Sequence, residues 1–153
     1  MNIVPYLNLS GKAEEAINFY QTKLGAEVVM MMRFKYMPPP EGTSTQVEPP
    51  EQQNCQMPPE MLEKVMHATL KFGESTIMMS DSAEPGKPEF KGITLSIATD
   101  DVEEATSMFN ALAEEGKVQM PLEATFWAKA FGMVDDKFGV SWMVNVGDPE
   151  VTE

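Results

Sequence analysis

The spacing of apolar residues predicts two helices, one in each half of the chain. Apolar side chains recur every third or fourth position over Gly11–Leu24 and again over Asp101–Glu115, which is typical of amphipathic helices. Ser10 is expected to cap the first helix, and Asp100 begins an acidic capping box for the second. Gly25 ends the first helix, since glycine tolerates the left-handed conformation found at helix C-termini.

Short apolar runs before and after each helix predict strands. In the first half these runs cover Ile3–Leu9, Ala26–Lys35, Met66–Phe72 and Ser75–Ser80. In the second half they cover Gly92–Ala98, Lys117–Leu122, Trp127–Val134 and Val140–Val146. Both halves therefore run strand, helix, strand, strand, strand, which indicates an internal repeat.

The repeat predicts an α+β fold made of two βαβββ modules, each a curved mixed four-stranded sheet. Repeat 1 should span about 1–83 and repeat 2 about 90–147, within a single domain of 153 residues. Neither sheet closes on itself, so its edges must be paired or covered, which favours a homodimer.

The last two strands form a predicted hairpin whose faces can be assigned. The run from Asp135 to Gly139 contains the residues that tolerate tight turns. Because strand side chains alternate, Trp142 and Val144 should share one face, and Met143 should lie on the other with Ser141 and Asn145.

A proline-rich stretch, 37–59, interrupts the pattern. It includes prolines 38, 39, 40, 49, 50, 58 and 59 and predicts a long loop, which is a lid, a dimer arm or a disordered segment. Its Met37–Pro40 run can adopt polyproline II, which leaves open a role as an interaction protein that uses this loop. Cys55 lies in the loop without an adjacent base and is interpreted as incidental.

Composition excludes several classes of partner. The net charge is −13 and the 11 Lys and Arg residues form no patch, so no nucleic acid is expected. No run reaches the ~18 apolar residues of a membrane helix, and no secretory leader is visible. One cysteine fits a reducing compartment, so a cytoplasmic location is expected. The 14 methionines are interpreted mostly as core filling, or else as an adaptable pocket wall.

Several short motifs together resemble a known superfamily. They are Pro5–Leu7, Ala13–Ala16, Phe19-Tyr20, His67-Ala68, Met78–Asp81, Thr125–Trp127, Phe131-Gly132, Asp136–Val140 and Trp142-Met143. With the repeat, they resemble the vicinal oxygen chelate superfamily, which contains glyoxalase I, extradiol dioxygenases, and fosfomycin- and bleomycin-resistance proteins. The closer resemblance is to its PhnB-like branch. Some members carry a demethylubiquinone methyltransferase label, yet the turn after the first strand lacks the glycines that such an enzyme needs.

The resemblance also implies where a metal would be held. Metal-using members place His, Gln or Glu ligands on the first and last strand of each unit. In this chain those positions fall on Pro5, Met78 or Met79, Gly92 or Ile93, and Met143. None is a good donor for a hard divalent ion, so no metal and no cofactor are expected.

The candidate site residues remain open to two interpretations each. His67, the single histidine, is either a general base facing the cleft or a half-buried strand residue. Asp81 either caps a turn or lines the cleft mouth, and the two tryptophans either stack a flat ligand or pack in the core. The candidate ligand-binding residues are Met79, Asp81, Trp127, Trp142 and Met143.

Three functions follow as hypotheses. We favour metal-free binding of a small organic ligand, cationic or amphipathic, in the cleft of a homodimer. The alternatives are a metal-dependent glyoxalase- or dioxygenase-type lyase or isomerase with a non-standard site, and the interaction protein described above.

Overall fold

A computed structural model describes residues 1–36, 58–81 and 87–147. Most of the predicted proline-rich loop, including Cys55, lies outside the described residues.

The described residues form eight strands and two α-helices, in the order that the repeat predicts. The first module contains β1 (Tyr6–Asn8), α1 (Ala13–Leu24), β2 (Glu27–Arg33), β3 (Val65–Phe72) and β4 (Ser75–Ser80). The second contains β5 (Leu95–Thr99), α2 (Val102–Ala113), β6 (Lys117–Glu123), β7 (Ala130–Asp135) and β8 (Ser141–Val146). Short 3₁₀ turns cover Phe34–Tyr36 and Pro59–Met61.

The two sheets have the same topology, which confirms the predicted pair of βαβββ modules. The strand orders are β1-β4-β3-β2 and β5-β8-β7-β6. In each sheet the first strand pairs in parallel with the last strand of its module, and the other pairs are antiparallel. Both sheets are therefore mixed and open. No helix among the described residues is long and apolar enough to span a membrane.

The predicted caps of both helices were wrong, and at α1 the reason is a residue distant in sequence. The α1 helix begins at Ala13, and its start is capped by Asp81 instead of Ser10: the Asp81 carboxylate accepts the backbone N–H groups of Gly11 at 2.7 Å and Ala13 at 2.9 Å. At α2 the cap is Asp101, one residue beyond the predicted Asp100.

Aromatic side chains join the two modules in one core. Tyr20 from α1 packs edge-on against Phe72 of the first sheet and against Trp142 and Phe138 of the second module, with ring centroids 5.7–6.1 Å apart. All four belong to, or pack against, one hydrophobic cluster that takes residues from both sheets and both helices. One face of each sheet is therefore turned to this shared core.

Candidate functional site

The first sheet turns its second face away from the core, and this surface is called the first open face. Along β3 and β4 the buried side chains alternate with half-exposed ones: Ala68 and Leu70 pair with Met79 and Ile77 on the core side. The open side carries Tyr6, Met30, Met32, His67, Thr69 and Met78. Within it, Met30, Thr69, Met78 and Tyr6 form one cross-strand row over all four strands.

His67 is held on the first open face between two hydroxyl groups. Its Nδ1 lies 3.2 Å from the Tyr6 hydroxyl and its Nε2 lies 3.3 Å from Thr69 Oγ1. The Tyr6 ring is tilted by 33° against the imidazole, with the centroids 5.6 Å apart. A neutral imidazole donates through one nitrogen and accepts through the other. The three hydrogen-bonded side chains can therefore orient a polar ligand group or pass a proton.

The second sheet presents a second open face, on which three methionines form one cross-strand row. Met120, Met133 and Met143 lie opposite one another on β6, β7 and β8. The next row contains Glu123, Phe131 and Asn145. The Oδ1 atom of Asn145 is buried and has no hydrogen-bond partner among the residues that the structure describes.

An exposed group of aromatic rings, which we call the aromatic corner, borders the second open face. Phe126, Trp127 and Phe131 compose it. The Phe126 and Trp127 centroids are 4.7 Å apart at 81°, and those of Trp127 and Phe131 are 5.5 Å apart at 64°. The turn before β7 is fixed by Thr125, whose Oγ1 accepts the backbone N–H groups of Trp127 and Ala128. This turn explains why β7 begins at Ala130 instead of at Trp127.

The structure separates the residues predicted to bind a ligand into two groups. Met143 and Trp127 lie at the second open face and its aromatic corner, with Trp127 44% exposed. Met79, Asp81 and Trp142 are buried. Ligand contact by all five stays a prediction, and the position of Met79 on the core side gives that residue no support.

Asp81 has the contacts of a structural residue. Besides the two N–H groups at the start of α1, its Oδ2 accepts the backbone N–H of Val65 at 3.0 Å. The side chain is 2% exposed, so these three bonds satisfy a buried carboxylate. Its contacts support the turn-capping interpretation.

A buried group around Asp136 was missed, because the sequence pointed only to a turn there. Asp136 Oδ2 accepts the Tyr20 hydroxyl at 2.6 Å and the Trp142 indole N–H at 2.9 Å. Its Oδ1 accepts the backbone N–H groups of Phe138 and Val140. Burial raises the pKa of Asp136, against the lowering effect of these hydrogen bonds. One signal in the sequence could have predicted this group: a tryptophan in the core needs an acceptor for its indole N–H.

Burial also perturbs Tyr20. Its phenol pKa is raised well above the usual value, first by burial and then by the adjacent Asp136 carboxylate. The raised pKa favours the protonated hydroxyl, which donates to Asp136 and connects the two modules.

The residues that the resemblance assigns to metal-ligand positions do not fit a divalent metal. Pro5 has no donor side chain, and Met78 and Met143 on the open faces offer only thioethers. Among the described residues no three His, Cys, Asp or Glu side chains lie together as a metal would require. Hard divalent ions prefer nitrogen and oxygen donors, so no step of a reaction is assigned to such an ion.

A groove of about 750 Å³ lies between the modules, apart from His67 and Met143. The N-terminal segment, the start of β4 and the free edge of β5 form its walls, and Trp142 reaches it from the core.

Comparison with known proteins gives consistent results. The family model described as the Glyoxalase/Bleomycin resistance protein/Dioxygenase superfamily matches residues 3–144. Protein YjdN of Escherichia coli (strain K12) is 39% identical over 153 residues, which is 100% of both chains.

Two solved structures are similar along almost their whole length. Protein PA1353 from Pseudomonas aeruginosa is 40% identical with a TM-score of 0.76, covering 97% of this chain and 99% of that one. A PhnB protein from Bacillus cereus, whose name includes 3-demethylubiquinone-9 3-methyltransferase, is 28% identical with a TM-score of 0.72, covering 96% and 100%.

Proposed function

Because this chain belongs to the glyoxalase/bleomycin resistance protein/dioxygenase superfamily, we propose that it binds a small amphipathic organic molecule without a metal, in the cleft of a homodimer. The observation that carries the proposal is the pair of open faces. Each combines apolar or thioether side chains with a few polar groups at fixed positions, which is the usual make-up of a small-molecule site.

The first open face supplies the polar side of the site. The Tyr6 hydroxyl, the His67 imidazole and the Thr69 hydroxyl are linked in series by the contacts at 3.2 and 3.3 Å, so their directions are coupled. A ligand that bonds to one of them receives a preorganised partner, because little side-chain freedom remains to be lost.

The second open face supplies the adaptable wall. Methionine has a flexible, polarisable side chain, so the Met120, Met133 and Met143 row can fit more than one apolar shape. The aromatic corner extends this wall with flat surfaces.

Exposed apolar residues on an edge strand support the dimer. β2 is the last strand of its sheet, and Val29 is 63%, Met31 40% and Met32 38% exposed. A long apolar edge with free backbone groups favours association, and in a soluble protein such a patch marks an interaction surface. We propose that a second copy of the chain covers it.

A ligand screen with melting-temperature readout tests the binding. Neutral and cationic amphipathic molecules are added to the intact protein, and a binder at 100 times its Kd stabilises by about 2.7 kcal/mol. For a domain of this size that is a rise of about 5–10 °C. His67→Gln and Tyr6→Phe should weaken the binding of any ligand found, whereas Tyr36→Phe should not, because Tyr36 is 67% exposed and is not one of the two hydroxyl partners of His67. The proposal is contradicted if none of the amphipathic molecules raises the melting temperature.

Light scattering tests the dimer. The expected mass is about twice the 17.0 kDa of the chain, and Met31→Lys should shift it towards the monomer, since a charge on an edge strand opposes pairing. Glu103→Lys on the exposed side of α2 is the control. A 17.0 kDa particle at all concentrations would refute the assembly.

A further inference from the structure

The aromatic corner is more exposed than ordinary packing requires. Phe126 is 89% and Trp127 44% exposed, yet both rings are positioned by contacts and by the Thr125 turn. Adjacent planes meet at 81° and 64°, so the rings pack edge against face and Trp127 contacts both of its neighbours.

We propose that the aromatic corner, together with Glu123, binds the methylated ammonium group of an organic cation. The inference rests on the proposed function, and it adds the chemical class of the ligand. The negative faces of aromatic rings attract a diffuse positive charge, and exposed aromatic side chains are the groups that recognise quaternary ammonium ligands.

Glu123 supplies the charge that selects a cation. It lies directly opposite Phe131 in the β6–β7 ladder, so both side chains project from the second open face. The side chain of Glu123 takes part in none of the ion pairs or side-chain hydrogen bonds found among the described residues. Its carboxylate is therefore available to a ligand.

The surroundings indicate what the rest of the ligand is. On the other side of Phe131 in the same row is Asn145, whose buried Oδ1 has no partner within residues 1–36, 58–81 and 87–147 and can accept a hydrogen bond. The next row is the three methionines, which offer an apolar surface. A cation with one hydrogen-bond donor and an apolar body matches this order of groups. The net charge of −13 further raises the local concentration of cations.

Choline and its uncharged isostere 3,3-dimethylbutan-1-ol separate charge from shape. Affinity for the intact protein is measured by titration of the methyl resonance, at constant ionic strength. Choline is expected to bind at least about fivefold more tightly than the isostere, as about 1 kcal/mol of cation–π attraction implies. Choline should also change tryptophan fluorescence, and the change should come from Trp127, since Trp142 is only 3% exposed.

Substitutions locate the site. Trp127→Leu keeps an apolar side chain without the aromatic face, and Glu123→Gln keeps the shape without the charge. Each should weaken choline at least about fivefold and leave the isostere unchanged. Tyr36→Leu and Glu74→Gln, an exposed aromatic and an exposed acid elsewhere, are the matched controls. If the Trp127→Leu variant does not fold, the affinity of the Glu123→Gln variant for choline still tests the site.

Equal affinities for choline and its isostere would overturn the inference, as would equal losses in the test and control variants. If the ligand screen finds neutral binders that depend on His67 while choline does not bind, the ammonium site is refuted and the proposed function stands. If neither class binds, both are refuted.

Discussion

Tyr20→Phe tests whether one buried hydrogen bond holds the two modules together. The Tyr20 hydroxyl on α1 donates to Asp136 after β7, across 116 positions of sequence, at 2.6 Å. The substitution removes this oxygen and leaves the ring, so the edge-on contacts with Phe72, Phe138 and Trp142 can persist. Any loss of stability then belongs to the bond and not to a cavity.

The expected loss follows from the nature of the acceptor. A hydrogen bond to a buried charged group contributes about 1.5–3 kcal/mol. Asp136 keeps its three other hydrogen-bond donors in the variant, so we expect no greater loss in the free energy of unfolding. For a chain of this length the loss corresponds to a fall in Tm of roughly 3–12 °C.

The loss should depend on pH in a defined direction. The Tyr20 hydroxyl lowers the pKa of Asp136 against the raising effect of burial, so its removal raises the folded-state pKa further. A group whose pKa is raised by folding contributes stability at low pH that is lost as the pH rises through the folded pKa. The penalty of Tyr20→Phe should therefore be smaller at about pH 5 than at about pH 8.

Urea unfolding at both pH values, at one fixed protein concentration, measures this penalty. The fixed concentration is needed because the stability of the proposed dimer would depend on it. Tyr36→Phe, which deletes an exposed hydroxyl, is the control and should change stability by less than about 0.5 kcal/mol. If the two variants lose the same amount, or if the Tyr20→Phe penalty shrinks as the pH rises, the account of this bond is wrong.

Three further outcomes are expected. Asp81→Ala leaves the backbone N–H groups of Gly11, Ala13 and Val65 without their acceptor and should lower the free energy of unfolding by about 3 kcal/mol or more. Asp101→Ala, at the exposed cap of α2, should lower it by about 1 kcal/mol. Equal losses in the two variants would contradict this prediction. Gly132→Ala would place a methyl group 2.7 Å from the Phe109 ring and 2.9 Å from Leu122 Cα, and should cost about 1–3 kcal/mol, whereas Ser107→Ala on the exposed side of α2 should not. Protein purified without a chelator should contain no stoichiometric Zn, Ni, Mn or Fe, and EDTA should leave its Tm unchanged. The reason is that Met78 and Met143 on the open faces offer only thioethers. A stoichiometric metal found by elemental analysis would contradict this prediction.

The fold could be predicted because its signals are local. Helical stripes and strand alternation repeat in both halves, and alternation along Ser141–Val146 placed Met143 and Trp142 on opposite faces, as the structure has them. Met78 and Met79 could not be separated in this way. The two residues are adjacent and identical, and only the pairing of Leu7 with Met79 determines which one faces the core.

The contacts of the two buried aspartates could not be predicted, because their partners are distant in sequence. Asp81 caps a helix that begins 68 positions earlier, and Asp136 accepts from a tyrosine 116 positions away. Local patterns identify turn residues, and these two aspartates lie at turns. Only the packed structure shows that each carboxylate satisfies backbone or side-chain donors from another element.

The shared core also decides how a cleft can be assembled. Since the core faces of both sheets meet in one cluster, the two open faces are turned away from that cluster. We therefore expect the first open face of one protomer to meet the second open face of its partner, and two-fold symmetry then creates two equal clefts.

Mixed dimers test this arrangement. In a heterodimer of His67→Gln and Trp127→Leu chains, one cleft receives both substitutions and the other receives neither. Random exchange of subunits should thus give wild-type affinity in about a quarter of the clefts, although neither variant alone contains a cleft with wild-type affinity. Calorimetry after subunit exchange, with the best binder from the ligand screen, measures the number of high-affinity sites. If exchange recovers no sites although mixed dimers form, both faces of a cleft come from the same chain.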